Sequence, residues 1–311
     1  MNTTPSNRPK RLRLLPALLL LALFPEQAFG QDPSTGPILA EGAKPQRVSD
    51  QFRFTEGPAA DKQGNVFFTD QPNNAIWKYG TDGKLSVFLK PAGRSNGMYF
   101  DRKGNLVTCA DEKNQLWSIS PAGKVTVLLD NFGGHRFNGP NDLWIDAKGG
   151  IYFTDPYYQR DYWERKSPDP ALGGEKVYYL APGKKEPVVV DSTLRQPNGI
   201  VGTPDGKSLY VADIGAGKTY QYEIGPGGAL QNRRLFVEAG SDGMTLDNRG
   251  NLYLTGKGVS VYNPEGKKIE QIDIPAGWTA NVCFGGKKRD VLFITASESV
   301  FVLPMRVKGA Q

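Results

Sequence analysis

The chain has 311 residues, 37 of them glycine and 23 proline, with 11% aromatic residues and a formal charge of +6. That length admits two average domains or one large all-β domain, and the composition points to many short strands joined by tight turns. The charge does not mark a nucleic-acid binder: Arg8, Lys10, Arg11 and Arg13, set against Glu26, place +3 of it in the first thirty residues, the other basic residues are scattered, and no helix-turn-helix, zinc-finger spacing or aromatic RNA-binding motif occurs.

The chain begins with that basic stretch and continues into LLPALLLLALF at 14–24, an apolar run short for a bilayer span. Ala28-Phe29-Gly30 offers small residues at a cleavage point. Residues 1–30 therefore read as a signal peptide cut after Gly30. The expectation is an exported protein, periplasmic or secreted, without stable membrane insertion once the leader is gone. An uncleaved anchor is the alternative. Cys109 and Cys283 are the only cysteines. Export would permit a disulfide, but their apolar surroundings suit buried free thiols better.

A repeat follows. DKQGNVFFTD begins at Asp61, DRKGNLVTCAD at Asp101, DAKGGIYFTD at Asp146, PDGKSLYVAD at Pro204 and DNRGNLYLTG at Asp247, with a worn sixth copy, GGKKRDVLFITA, at Gly285. The turn glycines are Gly64, Gly104, Gly149, Gly206 and Gly250, spaced by 40, 45, 57 and 44 residues. Each copy is a strand, a glycine turn and a second strand, with further strand-like segments after it. Four strands in 40–45 residues make a propeller blade, and six copies predict an all-β, six-bladed β-propeller over 47–305. The last copy lacks chain for a fourth strand. Residues 31–46 are expected to close that blade from the other end, leaving 306–311 as a tail.

Eight residues before the turn position stand Glu56, Asn96, Asn141, Asn198, Asp242 and, in the sixth copy, Asn281. Equal positions in equal blades lie on a circle about the axis. Turn chemistry also favours Asn, Asp and Gly, yet it would admit Ser, Thr, Lys or Pro, and none appears. Six oxygen-bearing side chains are thus expected at one mouth of the central channel. Such a cage suits a hard divalent cation, Ca2+ first, with Mg2+ or Mn2+ as alternatives and Zn2+ a poorer fit without thiolates or clustered histidines.

FTEGPAAD (54–61), FNGPNDLWID (137–146), YFTDP (152–156), QPNGIVGTPDGKSLYVAD (196–213) and SDGMTLDNRGNLYLT (241–255), in this order, resemble the senescence marker protein / gluconolactonase / luciferin-regenerating enzyme family. The resemblance implies a six-bladed propeller with a divalent ion, usually calcium, on the axis, and hydrolysis of lactones, typically sugar lactones. It implies Glu56, Asn198 and Asp242 as metal ligands, Asn141 as a ligand or substrate contact, and Asp242 as the base.

The residues suit that chemistry. A cation at the ring can polarise an ester carbonyl, and Asp242 can take a proton from water. The substrate-binding candidates are Asn96, His135, Arg136, Asn138, Asn141, Tyr158 and Trp163. His135 is the single histidine, and no GxSxG occurs, so neither a His dyad nor a serine triad is available. The longest repeat gap carries PYYQRDYWERKSPDPALGG (156–174), an aromatic loop read as a wall or lid over the mouth, in which Arg160 or Arg165 could hold a carboxylate or hydroxyls. A small-molecule lactone is the expected partner. A non-catalytic binding propeller, and a phosphotriesterase or arylesterase on the same site, remain as alternatives.

Overall fold

The structure, a computed structural model, describes residues 1–4 and 36–311. The chain divides into the units Met1–Gly36 and Pro37–Gln311, and the fold below is that of the second. The signal-peptide expectation over 1–30 lies, beyond residues 1–4, outside the described residues. No helix among the described residues is long and apolar enough to cross a membrane.

The repeat motif shows why each blade starts as a hairpin. In blades 1, 2, 3 and 5, Asp61, Asp101, Asp146 and Asp247 each accept hydrogen bonds from the amides two and four residues on, at 2.7–3.0 Å. The aspartate thereby builds the turn with its own side chain. The glycine three residues on takes φ between 69° and 91° in five blades. The sixth blade has Arg289 at that position, with φ 60°, a left-handed conformation that costs an L-residue about 1–2 kcal/mol.

Six four-stranded antiparallel sheets result, spanning residues 55–89, 95–129, 143–191, 197–237, 244–272 and 279–304. They form a six-bladed β-propeller. The sixth sheet gains its outer strand from the N-terminal side, but at Gln46–Ser49, beyond all but the last residue of the expected 31–46 segment, paired antiparallel to Ser299–Pro304 with Gln46 opposite Val302. The ring is thus joined by strand pairing between the two ends of the propeller.

Burial falls from the axis outward. The second strands, such as Val66–Asp70 and Ile151–Asp155, are buried on both faces, because neighbouring blades cover each side. The outer strand Leu230–Val237 is mostly exposed. Aromatic rings join adjacent blades: Phe67 meets Phe100 at 5.2 Å between blades 1 and 2, and Phe68 meets Phe293 at 5.4 Å between blades 1 and 6. Along the axis runs a cavity of about 410 Å3, lined by Met98, Leu143, Ile200, Met244 and Val282 among others. The C-terminal tail is tied by Gly309 N donating to Arg289 O at 2.8 Å and Ala310 N to Leu246 O at 3.0 Å.

Candidate active site

The innermost strand of a blade enters at the mouth and leaves at the turn. In blades 1, 3 and 4 a second-strand aspartate clamps that entry. Asp70 accepts from the amides of Arg53 (3.2 Å) and Phe54 (3.4 Å), ahead of Glu56. Asp155 accepts from Asn138 (3.0 Å) and Gly139 (2.8 Å), ahead of Asn141. Asp213 accepts from Arg195 (2.8 Å) and Gln196 (2.9 Å), ahead of Asn198. These aspartates end the FFTD, YFTD and YVAD runs. The repeat displayed them, but only the fold shows what they hold.

The six side chains at the shared offset are brought to one ring, and the glycine after four of them explains how. A Cβ on Gly57 would lie 2.0 Å from the Asn96 carbonyl oxygen, and one on Gly97 would lie 2.6 Å from that of Asn141. A Cβ on Gly199 would lie 2.7 Å from the Asp242 carbonyl oxygen, and one on Gly243 would strike the Asn281 side chain at 1.9 Å. Glycine is required there because the inner strands of successive blades touch. Blade 6 departs from this rule with Val282, and blade 3 with Asp142. Its carboxylate accepts from the Leu143 amide at 2.9 Å and is held by the Ile200 amide of blade 4 and the Asn281 side chain of blade 6. Asn281 also faces Glu56, so the ring closes back on blade 1.

Asn198 and Asp242 meet directly: Asn198 Nδ2 donates to Asp242 Oδ1 at 3.0 Å and to the Tyr158 hydroxyl at 2.8 Å. Asn198 Oδ1 is buried without a hydrogen-bond partner. Burial, and then the neighbouring Asp242 charge, push the Glu56 carboxyl well above the ordinary carboxylate range. Burial raises Asp242 to about 6, against donation from Trp278 and Asn198. Burial likewise raises Asp142 to about 7, against its amide donors. Three mutually repelling carboxylates beside an orphaned amide oxygen form a cluster that a cation would satisfy. No group of three His, Cys, Asp or Glu that could hold a metal occurs among the described residues. Any coordination here depends on the amide oxygens.

The other candidates divide by position. Asn96 and Asn141 are buried on the ring, 8% and 7% exposed. Asn138 Nδ2 braces the loop, donating to the carbonyls of Asp155 (3.2 Å) and Gly174 (3.3 Å), while its Oδ1 is buried without a hydrogen-bond partner. His135 and Arg136 are exposed, and His135 Nδ1 lies 3.0 Å from Asp169 Oδ2. Trp163 is 3% exposed, packed against Tyr162 and the Arg165 guanidinium, so its ring offers no open face. Both cysteines are free thiols.

The loop 156–174 reaches several blades. Arg165 pairs with Asp111 at 2.8 Å in blade 2, Tyr162 donates to Gln71 Oε1 at 2.9 Å in blade 1, and Tyr158 sits on Asn198 in blade 4. Arg165 is thereby occupied. Arg160 stays exposed, 5.3 Å over the Tyr158 ring, and its charge acts on Asp242. Sequence reasoning missed Trp278, whose Nε1 donates to Asp242 Oδ2 at 2.6 Å. Its only signal was a place three residues before Asn281.

Six blades that each deliver one oxygen-bearing side chain to a shared axial ring define a β-propeller with a polar site at one mouth. Residues 54–298 match the SMP-30/Gluconolactonase/LRE-like region, and the chain belongs to that family. A gluconolactonase of Zymomonas mobilis is 29% identical over 283 residues, covering 81% of this chain and 79% of the relative. The structure of a gluconolactonase from Xanthomonas campestris superposes with a TM-score of 0.80 at 27% identity, covering 87% of this chain and 95% of that one. Regucalcin from Agrobacterium tumefaciens, described as a calcium-binding protein, shares the fold with a TM-score of 0.70 at 17% identity, over 86% of this chain and 95% of that one.

Proposed function

We propose that this chain, a lactonase of the carboxylic ester hydrolase class, opens a sugar lactone such as gluconolactone at the ring formed by Glu56, Asn198 and Asp242, with a divalent cation, Ca2+ before others, as its cofactor. The observation that carries the reading is Asn198, whose unpartnered, buried Oδ1 stands beside the Asp242 carboxylate. The names of the gluconolactonase relatives support the substrate class.

Glu56, Asn198 and Asp242, with Asn141 beside them on the ring, would hold the cation. When bound, the cation supplies Lewis-acid polarisation of the lactone carbonyl. The two carboxylates would balance its charge. Asp242 takes a proton from water as the water oxygen attacks the carbonyl carbon. The ring C–O bond then breaks, and that proton passes to the departing ring oxygen, giving the hydroxy acid. Tyr158, held by Asn198, borders the substrate space, and Arg160 above it offers donors to hydroxyl or carboxylate groups.

Export to the periplasm or medium is part of the same proposal, resting on the basic and apolar character of residues 1–30. A panel of lactones and aryl esters, assayed with EGTA and then with restored Ca2+, tests the reading. Lactone hydrolysis that EGTA abolishes and Ca2+ restores is expected. Full lactonase activity in EGTA would remove the cation from the mechanism, and turnover of aryl esters alone would replace the substrate class.

A further inference from the structure

We infer that Trp278 is the positioning residue for the Asp242 carboxylate and the aromatic wall of the mouth on the blade 6 side, an inference that rests on the lactonase reading above.

Asp242 has two oxygens with different neighbours. Oδ1 accepts from Asn198, and Oδ2 accepts from the Trp278 indole N–H at 2.6 Å. A carboxylate held from both sides cannot swing about its Cβ–Cγ bond, so one oxygen stays with the ring while the other stays at the indole edge. Charge-assisted bonds of this kind are short and strong. Trp278 is nonetheless 40% exposed, which is unusual for a large aromatic. An amphipathic ring fastened at its polar edge, with an apolar face left open, suits a ligand that offers C–H groups next to hydroxyls.

The scaffold holds the residue in place. The Trp278 amide donates to Ser297 Oγ at 2.9 Å, and Ser297 Oγ donates back to the Trp278 carbonyl at 3.3 Å. The indole lies against Gly256, where a Cβ would be 3.5 Å from the ring. Gly256 comes six residues after its turn glycine, the position at which blades 1 and 3 carry the clamping Asp70 and Asp155. Blade 5 has no clamp there, and the indole takes that space. Beyond the ring a groove of about 610 Å3, lined by Ile214, Gly240, Gly256, Lys257 and Gln271, has Trp278 in its wall. The indole therefore stands between the reacting carboxylate and an open groove.

The test compares Trp278→Phe with Trp278→Ala in the full chain with saturating Ca2+. Trp278→Phe keeps the ring and loses the N–H, so kcat on glucono-δ-lactone should fall about tenfold with KM within about twofold. Trp278→Ala should lose the same kcat and raise KM at least about fivefold as well. Values of kcat within about twofold of wild type in both variants, or a KM in Trp278→Phe as poor as in Trp278→Ala, would overturn the inference. A merely structural role would lower thermal stability without separating KM from kcat. A second readout needs no turnover. The indole N–H resonance of Trp278, assigned by its loss in Trp278→Phe, should move when Asp242→Ala removes its acceptor. A resonance that stays put sinks the positioning role. A wild type inactive on every lactone would instead fail the lactonase reading, and the resonance would still decide the contact.

Discussion

Asn198 in blade 4 donates to Asp242 in blade 5 at 3.0 Å while leaving its own carbonyl oxygen buried without a partner. The amide is oriented by a carboxylate on one side and the Tyr158 hydroxyl on the other. An unsatisfied buried acceptor costs about 1–3 kcal/mol. A cation at the ring would complete that acceptor, and several consequences can be measured.

Asp242→Asn should keep the fold and lose turnover. The amide preserves size and can still accept from Trp278, but it cannot take a proton from water. A fall in kcat of about a hundred- to ten-thousandfold is expected, with an unchanged circular dichroism spectrum. Full activity in the variant would remove Asp242 as the base.

Glu56→Gln should weaken the cation rather than the chemistry. Glu56 is buried and receives the Gly57 amide at 2.8 Å. Losing its charge should raise the Ca2+ dissociation constant at least about tenfold by calorimetry, a cost of about 1.4 kcal/mol. Much of the activity should return at high Ca2+. Unaltered Ca2+ binding would place the cation elsewhere.

The raised carboxyls predict how stability depends on pH. Asp142 and Asp155 are raised to about 7 and Asp242 to about 6, each chiefly by burial. A raised folded-state pKa contributes stability that is complete below the unfolded value and is lost as pH rises through the folded one. In EDTA, the melting temperature should therefore fall between pH 5 and pH 8. Ca2+ should oppose this, adding about 2.7 kcal/mol at a hundredfold excess over its dissociation constant. The gain should grow with pH across that window as the carboxyls ionise. A Ca2+ effect equal at pH 5 and pH 8 would contradict the assignment.

The inner-strand glycines make a steric prediction. Gly57→Ala puts a Cβ 2.0 Å from the Asn96 carbonyl oxygen at φ +43°, whereas Gly104→Ala enters open space at φ +84°. Both variants carry the left-handed penalty of about 1–2 kcal/mol. Only Gly57→Ala adds overpacking of about 1–3 kcal/mol and disturbs the ring. Thermal melts and lactone assays should separate them, and equal melting temperatures would refute the close approach.

The clamps can be tested in the same way. Asp155→Ala leaves the amides of Asn138 and Gly139 without their acceptor, at a cost of about 1–3 kcal/mol. Denaturant unfolding should show that loss, together with lower lactone turnover as Asn141 loosens. No change in either would mean that the loop is held by other contacts.

The architecture was legible in the sequence for a local reason. The Asp and Gly of the turns in blades 1, 2, 3 and 5 act within five residues, and a repeating offset becomes a circle once the blades repeat. Glu56, Asn96, Asn141, Asn198, Asp242 and Asn281 could be gathered by counting alone. Only the tertiary structure decided which way each side chain faces and what else reaches it. Trp163 and Tyr158 are five residues apart in one aromatic loop, yet one is buried against Arg165 and the other touches Asn198. Trp278 and Asp242 are 36 residues apart, with no pattern linking them. Periodicity reports positions within a blade, whereas contacts between a loop of one blade and the mouth of another depend on packing that no local rule encodes.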